Sequence, residues 1–208
     1  MSLIVAALSV FAVVLELARR RDQKMWIMYL VWPLTALWAG PLGLWAYLRL
    51  GREHEDEGAA QPFPAAVGKA ALHCGAGCTL GDLVAETLAA GLPLVLFGQR
   101  IFGAWVYDYA LALLFGIAFQ YFTIKPMRGF SVGGGLIQAA KVDILSLTAW
   151  QVGMFGWMAV VRFAIFRTDL PKSSPVFWAM MQLAMFLGFG TASPVNWWLL
   201  RRGIKEKM

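Results

Sequence analysis

Long apolar stretches run through this 208-residue chain from end to end, and few solvents other than lipid suit them. Hydrophobic residues make up 60% of the sequence and charged residues only 14%. Inside a bilayer each backbone N–H and C=O has to be paired within the protein, so runs of this length predict helices. No soluble stretch is left over, and residues 1–208 read as a single integral-membrane domain. The expected fold is all-α: a polytopic membrane helix bundle of about six transmembrane helices, or five with a re-entrant segment.

Six segments carry the pattern. Residues 2–18 form the first, closed by Glu16 and Arg19-Arg20-Arg21, with Glu16 expected to pair with Arg19 or Arg20. No basic region precedes it and no small-residue cleavage site follows, so it reads as a retained helix. The second, 25–48, is interrupted by Pro33 and Pro41 and is expected to kink or partly re-enter. An acidic hydrophilic loop occupies 51–64, where His54 sits among Glu53, Glu55, Asp56 and Glu57. It reads either as a solvated loop or as a cation-gathering pore mouth.

The third segment, 66–97, is the least apolar, and Gly91 and Pro93 are expected to end or kink it. The fourth, 101–124, embeds Asp108 and Gln120 and is stopped by Lys125-Pro126. The fifth, 135–166, opens after Gly133-Gly134. The sixth, 175–200, starts from a Ser174 cap with Pro175 in its first turn and contains Pro194. Kinks are expected in the second, third and sixth helices. Six full crossings place the basic loop at 19–24 and the basic tail at 201–207 on opposite faces, so the positive-inside rule selects no orientation. The net charge of +6 comes from residues at segment ends, with no patch suited to nucleic acid.

The chemistry concentrates in His73-Cys74-Gly-Ala-Gly-Cys78-Thr79-Leu-Gly-Asp82, which holds both cysteines of the chain. Cys74, Cys78, Asp82 and Glu86 recur at one-turn spacing and line one helix face. Such a stripe must face protein or water. Three readings fit it. In the first, Gly77 and Gly81 let another helix approach, the cysteines pack as small hydrophobes, and Asp82 pairs with Lys141. In the second, Cys74, Cys78, His73 and Asp82 bind a transition metal, Cu(I) or alternatively Zn(II). The methionine pairs Met154/Met158 and Met181/Met185 add thioethers to that reading. In the third, the thiols do redox chemistry, although i, i+4 spacing needs helix distortion to form a disulfide.

Glu86, Asp108, Lys141, Asp143, Met181 and Met185 form the expected pathway set, with Lys141 and Asp143 alternatively snorkelling at the interface. With two histidines, most catalytic constellations are unsupplied, and no catalytic residue or resident cofactor other than the metal is assigned. The working expectation is Cu(I) binding or transport. Its alternatives are a non-enzymatic accessory subunit of a membrane complex and a proton or small-cation channel. Expected partners are the lipid bilayer, a metal ion, and a second copy or a larger membrane complex.

The combination of Trp32-Pro33-Leu-Thr-Ala-Leu-Trp38-Ala-Gly40-Pro41, the His73–Asp82 motif and Pro194-Val-Asn196-Trp-Trp-Leu-Leu-Arg201-Arg-Gly203-Ile-Lys205-Glu-Lys-Met208 resembles a bacterial membrane family catalogued as a domain of unknown function. The resemblance runs from residue 26 to the end. It implies a compact bundle in the bacterial inner membrane and transfers no activity.

Overall fold

The apolar runs become helices, as backbone pairing in lipid requires. The computed structural model describes residues 3–20, 23, 25–52, 62–129 and 131–205, so His54 and the acidic stretch 53–61 lie outside the described residues. Among the described residues there are seven α-helices and no strand; an isolated bridge joins Leu96 and Gln99. The helices are α1 (Leu3–Arg20), α2 (Met28–Ala39), α3 (Pro41–Ala46), α4 (Phe63–Gly91), α5 (Arg100–Arg128), α6 (Val132–Ala159) and α7 (Pro175–Arg201). Wider π-helical turns extend α3 over Tyr47–Gly51 and α6 over Val160–Ile165.

Three stretches, Arg100–Ile124, Val132–Ile165 and Pro175–Arg201, are long and apolar enough to cross a membrane. Helix α4 lies antiparallel to α7, with Phe63 against Trp197 at one end and Glu86 paired to Lys172 at the other. Its 29 residues span about 44 Å at 1.5 Å per residue, so it passes through the same layer. The chain is an integral membrane protein, an all-α bundle in which α4 to α7 run alternately up and down.

The second segment re-enters. Gly40 takes φ 58° and ψ −128°, a backbone turn open to glycine, and Pro41 starts α3 at once. Helix α3 then doubles back along α2. Trp32 meets Tyr47 edge to face at 5.6 Å, and Gln23, ahead of α2, donates to the Gly51 carbonyl at 2.6 Å. Chain entry and exit therefore lie at the same end, where Arg52 also pairs with Glu16 at 2.9 Å.

This hairpin changes the distribution of charge. Arg19, Arg20, Arg49, Arg52, Arg201, Arg202 and Lys205 gather at one end of the bundle, against Arg100, Arg162, Arg167 and Lys172 at the other. The re-entrant alternative removes the separation that six full crossings would impose, and the basic ends of α1 and α7 lie together.

Smaller expectations sort by local chemistry. Ser131 caps α6 through Gly134 N–H, and Ser174 caps α7 through Val176 N–H, both at 3.2 Å. Glu16 pairs with Arg20 as its spacing requires. Helix α4 ends at Gly91, the first of the two outcomes expected of Gly91 and Pro93, and Leu92 then leaves helical geometry. Helix α5 passes the expected stop at Lys125-Pro126 and ends at Arg128, because a proline in the last turn forfeits only one helical bond.

Glycines set how closely the helices pack. A Cβ at Gly77 would press on Gly116, and one at Gly81 would strike the Ala112 backbone, so α4 and α5 meet along small residues. Trp150 of α6, fully buried, fills the space left by Gly75 of α4 and Gly188 of α7 and meets Trp38 edge to face.

Candidate functional site

Residues at i, i+4 on α4 stack along one side, so Ala70, Cys74, Cys78, Asp82 and Glu86 mark successive turns. The neighbouring helices give each turn a different environment.

At the basic end, α7 finishes at Arg201 and Gly203 turns the chain with φ 66°. The N–H groups of Ile204 and Lys205 then bond to the Leu199 carbonyl, a helix-closing arrangement that aims Lys205 back into the bundle. Its ammonium, 2% exposed, donates to Asn196 Oδ1 at 2.7 Å, to the Ala70 carbonyl at 3.2 Å and to Cys74 Sγ at 3.4 Å. Asn196 Nδ2 donates to Ser146 Oγ at 2.7 Å, and Ser146 Oγ meets Cys74 Sγ at 2.8 Å. The Cys74 thiol also donates to Asp143 Oδ1 at 3.8 Å. Three helices, α4, α6 and α7, and the tail thus meet around one thiol, with a buried cation on one side of it and a buried carboxyl on the other. The far oxygen of Asp143 lies where a Cβ at Gly116 would be, so that glycine makes room for the carboxyl.

One turn on, Cys78 accepts a long hydrogen bond from Gln151 Nε2 at 3.9 Å. It lies within the electrostatic reach of Asp82, Asp143 and Asp108 together. Both thiols are free and buried.

Next come Asp82 of α4 and Asp108 of α5, 7% and 6% exposed, on the two helices that meet where Gly81 packs on Ala112. Among the described residues Asp82 Oδ1 has no hydrogen-bond partner. Glu86, half-buried at the last turn, pairs with Lys172 from the segment before α7.

A cavity of about 330 Å³ opens beside these last two turns. Thr79, Asp82 and Glu86 of α4 share its wall with Leu37 and Trp38 of α2, Leu3 of α1, and Trp178, Met181 and Met185 of α7.

The expected site residues therefore divide into three groups. Asp82, Glu86, Met181 and Met185 meet at the cavity. Cys74 and Asp143 join the Lys205 network, and Cys78 lies between the two ends. His73 turns away from the stripe and sits edge to face on Phe119, with neither ring nitrogen hydrogen-bonded among the described residues. Lys141 is exposed on α6, whereas Asp143 is fully buried. The pairing of Asp82 with Lys141 is corrected: the buried lysine is Lys205, and it serves Cys74. Met154 and Met158 lie in the apolar core. Among the described residues no group of three or more His, Cys, Asp or Glu side chains is placed to hold a metal ion.

Ser146, Gln151, Asn196 and Lys205 went unmarked in the sequence reading. Asn196 was nevertheless legible as an amide embedded in an apolar helix. Lys205 carried a weaker signal, the Gly203 that ends a helix and redirects the tail.

Residues 65–205 match a family described as a domain of unknown function, DUF4396. The chain belongs to this family. The matched stretch begins at the foot of α4 and ends on Lys205, so the DUF4396 region contains the whole stripe and the tail that closes it. The α1 helix and the re-entrant hairpin precede it. No curated protein and no solved structure matches the chain.

Proposed function

We propose that this protein moves protons across the bacterial cytoplasmic membrane along the α4 seam, with its basic end at the cytoplasm. What supports the reading is one observation, the ladder of buried ionisable groups at one-turn spacing between Lys205 and Lys172. Ionisable side chains inside a membrane are costly, and those that persist there mark relays and ion paths. Cys74, Asp143, Cys78, Asp82, Asp108 and Glu86 hand a proton from turn to turn, over about 18 Å between Cys74 and Glu86. The excess of Arg and Lys at one end supports the orientation.

Purified protein in liposomes carrying an internal pH dye tests this. The parent is expected to dissipate an imposed pH gradient, Asp82→Asn to slow dissipation at least tenfold, and Cys78→Ser to leave most of it. Equal rates for the parent and Asp82→Asn would sink the relay.

Passage or binding of a soft cation, Cu(I) before Zn(II), is the second reading. It draws support from Met181 and Met185, whose thioethers line the same cavity as Asp82 and Glu86. Stoichiometric Cu(I) retained by the purified parent, and lost when Met181→Leu is combined with Met185→Leu, would select it. Loss in Cys74→Ser with Cys78→Ser instead would return the ligand role to the thiols.

A further inference from the structure

We propose that the cavity beside Asp82 binds a lipophilic cation, an amine, quaternary ammonium or phosphonium centre carrying apolar groups. The inference deepens the relay reading by naming a substrate class. It rests on that reading only in sharing Asp82.

Charge supplies the first argument. Three carboxyl groups, Asp82, Glu86 and Asp108, gather at this end of the seam, and Lys172 pairs with Glu86. Asp82, 7% exposed, keeps an oxygen without a hydrogen-bond partner among the described residues and lines the cavity. A cation in the adjacent cavity meets the unserved acceptor.

The walls decide what kind of cation. Trp38, Trp178, Met181 and Met185 make much of the lining apolar and polarisable. Thr79, a hydroxyl on the wall, is already committed to the Gly75 carbonyl at 2.7 Å. A strongly hydrated inorganic ion finds too few oxygens here to replace its water shell. A delocalised organic cation needs none, and gains instead from aromatic faces and apolar contact. The volume of about 330 Å³ falls within the range of small-molecule sites. Leu37 and Leu83, exposed at its margin, open the cavity toward the acyl chains where such a ligand partitions.

The test is equilibrium dialysis of tetraphenylphosphonium against the purified full chain in detergent, with empty micelles as the blank. The parent is expected to bind saturably, at one ligand per chain. Asp82→Asn should weaken binding at least tenfold, and Met181→Trp, which fills the cavity while keeping the carboxyl, should do the same. Tetraphenylborate, of the same shape and opposite charge, should not compete. Binding no greater than to empty micelles, parent-like binding by either variant, or equal competition by the borate would each overturn the site. Proton flux measured in liposomes without phosphonium separates the two readings. Asp82-dependent flux without phosphonium binding removes the cation site and leaves the relay; phosphonium binding without flux does the reverse.

Discussion

The two ends of the α4 stripe lie on the same helix, against different partners, and differ in whether a buried cation joins their polar groups. Around Cys74 the Lys205 ammonium has three acceptors, Asn196 has both a donor and an acceptor engaged, and Ser146 joins them. Around Asp82, about 12 Å further along the helix axis, two carboxyls are buried, one oxygen is unserved, and no lysine or arginine among the described residues pairs with either. A buried network that holds its own cation keeps helices in one register, even with Asp143 Oδ2 unserved, whereas a buried carboxyl without a cation beside it retains an appetite for a ligand or proton. The basic end therefore reads as the clamp of the bundle and the Asp82 end as its working part.

Substitutions at the two ends should break or sharpen this contrast. The largest effect is expected from Lys205→Met, which strips a charged donor from three acceptors and leaves Asp143 without its cation. A loss of about 3–5 kcal/mol is expected, read as a lowered unfolding temperature in detergent. An unchanged melting profile would deny the clamp. Gly81→Ala should cost about 1–3 kcal/mol by driving a Cβ into the Ala112 backbone, and thermal unfolding reads it in the same way. Ser146→Ala should cost about 1–2 kcal/mol, because Asn196 then loses an acceptor inside the bundle. At the other end, Asp82→Asn should leave stability intact or raise it, since it removes one of two buried carboxyls, while flux falls. Severe destabilisation there would make Asp82 structural and erase the contrast.

Much of this was legible from spacing alone. Apolar run lengths implied a helical membrane bundle, Ser174 marked the cap of α7 though Ser131 of α6 went unread, and Gly77 and Gly81 foretold a close helix neighbour. The one-turn recurrence of Cys74, Cys78, Asp82 and Glu86 put them on one side of α4 because a helix has no other way to display that period. Contacts across more than a hundred residues had no such local sign. Cys74 meets Lys205 at a separation of 131 residues, and nothing near either residue specifies the other. The separate fates of Lys141 and Asp143 follow from geometry, since positions two apart project to opposite sides of a helix. Soft-metal chemistry was inferred from residue types, but the helices distribute those residues over different neighbours. The re-entry of the second segment was open because hydropathy records how apolar a run is, not whether Gly40 reverses it.

That reversal at Gly40 has an electrical consequence. Because the hairpin returns to the end it left, the basic residues lie together, and with that end at the cytoplasm Lys205 stands on the negative side of an energised membrane. The Asp82 cavity then stands toward the positive side. Each elementary charge carried across the full membrane potential is worth about 2.3 kcal/mol per 100 mV. A proton entering beside Asp82 and leaving past Lys205 runs down that field, and a bound organic cation at Asp82 is released against the least electrical resistance to the outside. One glycine in a short apolar hairpin thus sets the polarity of the device.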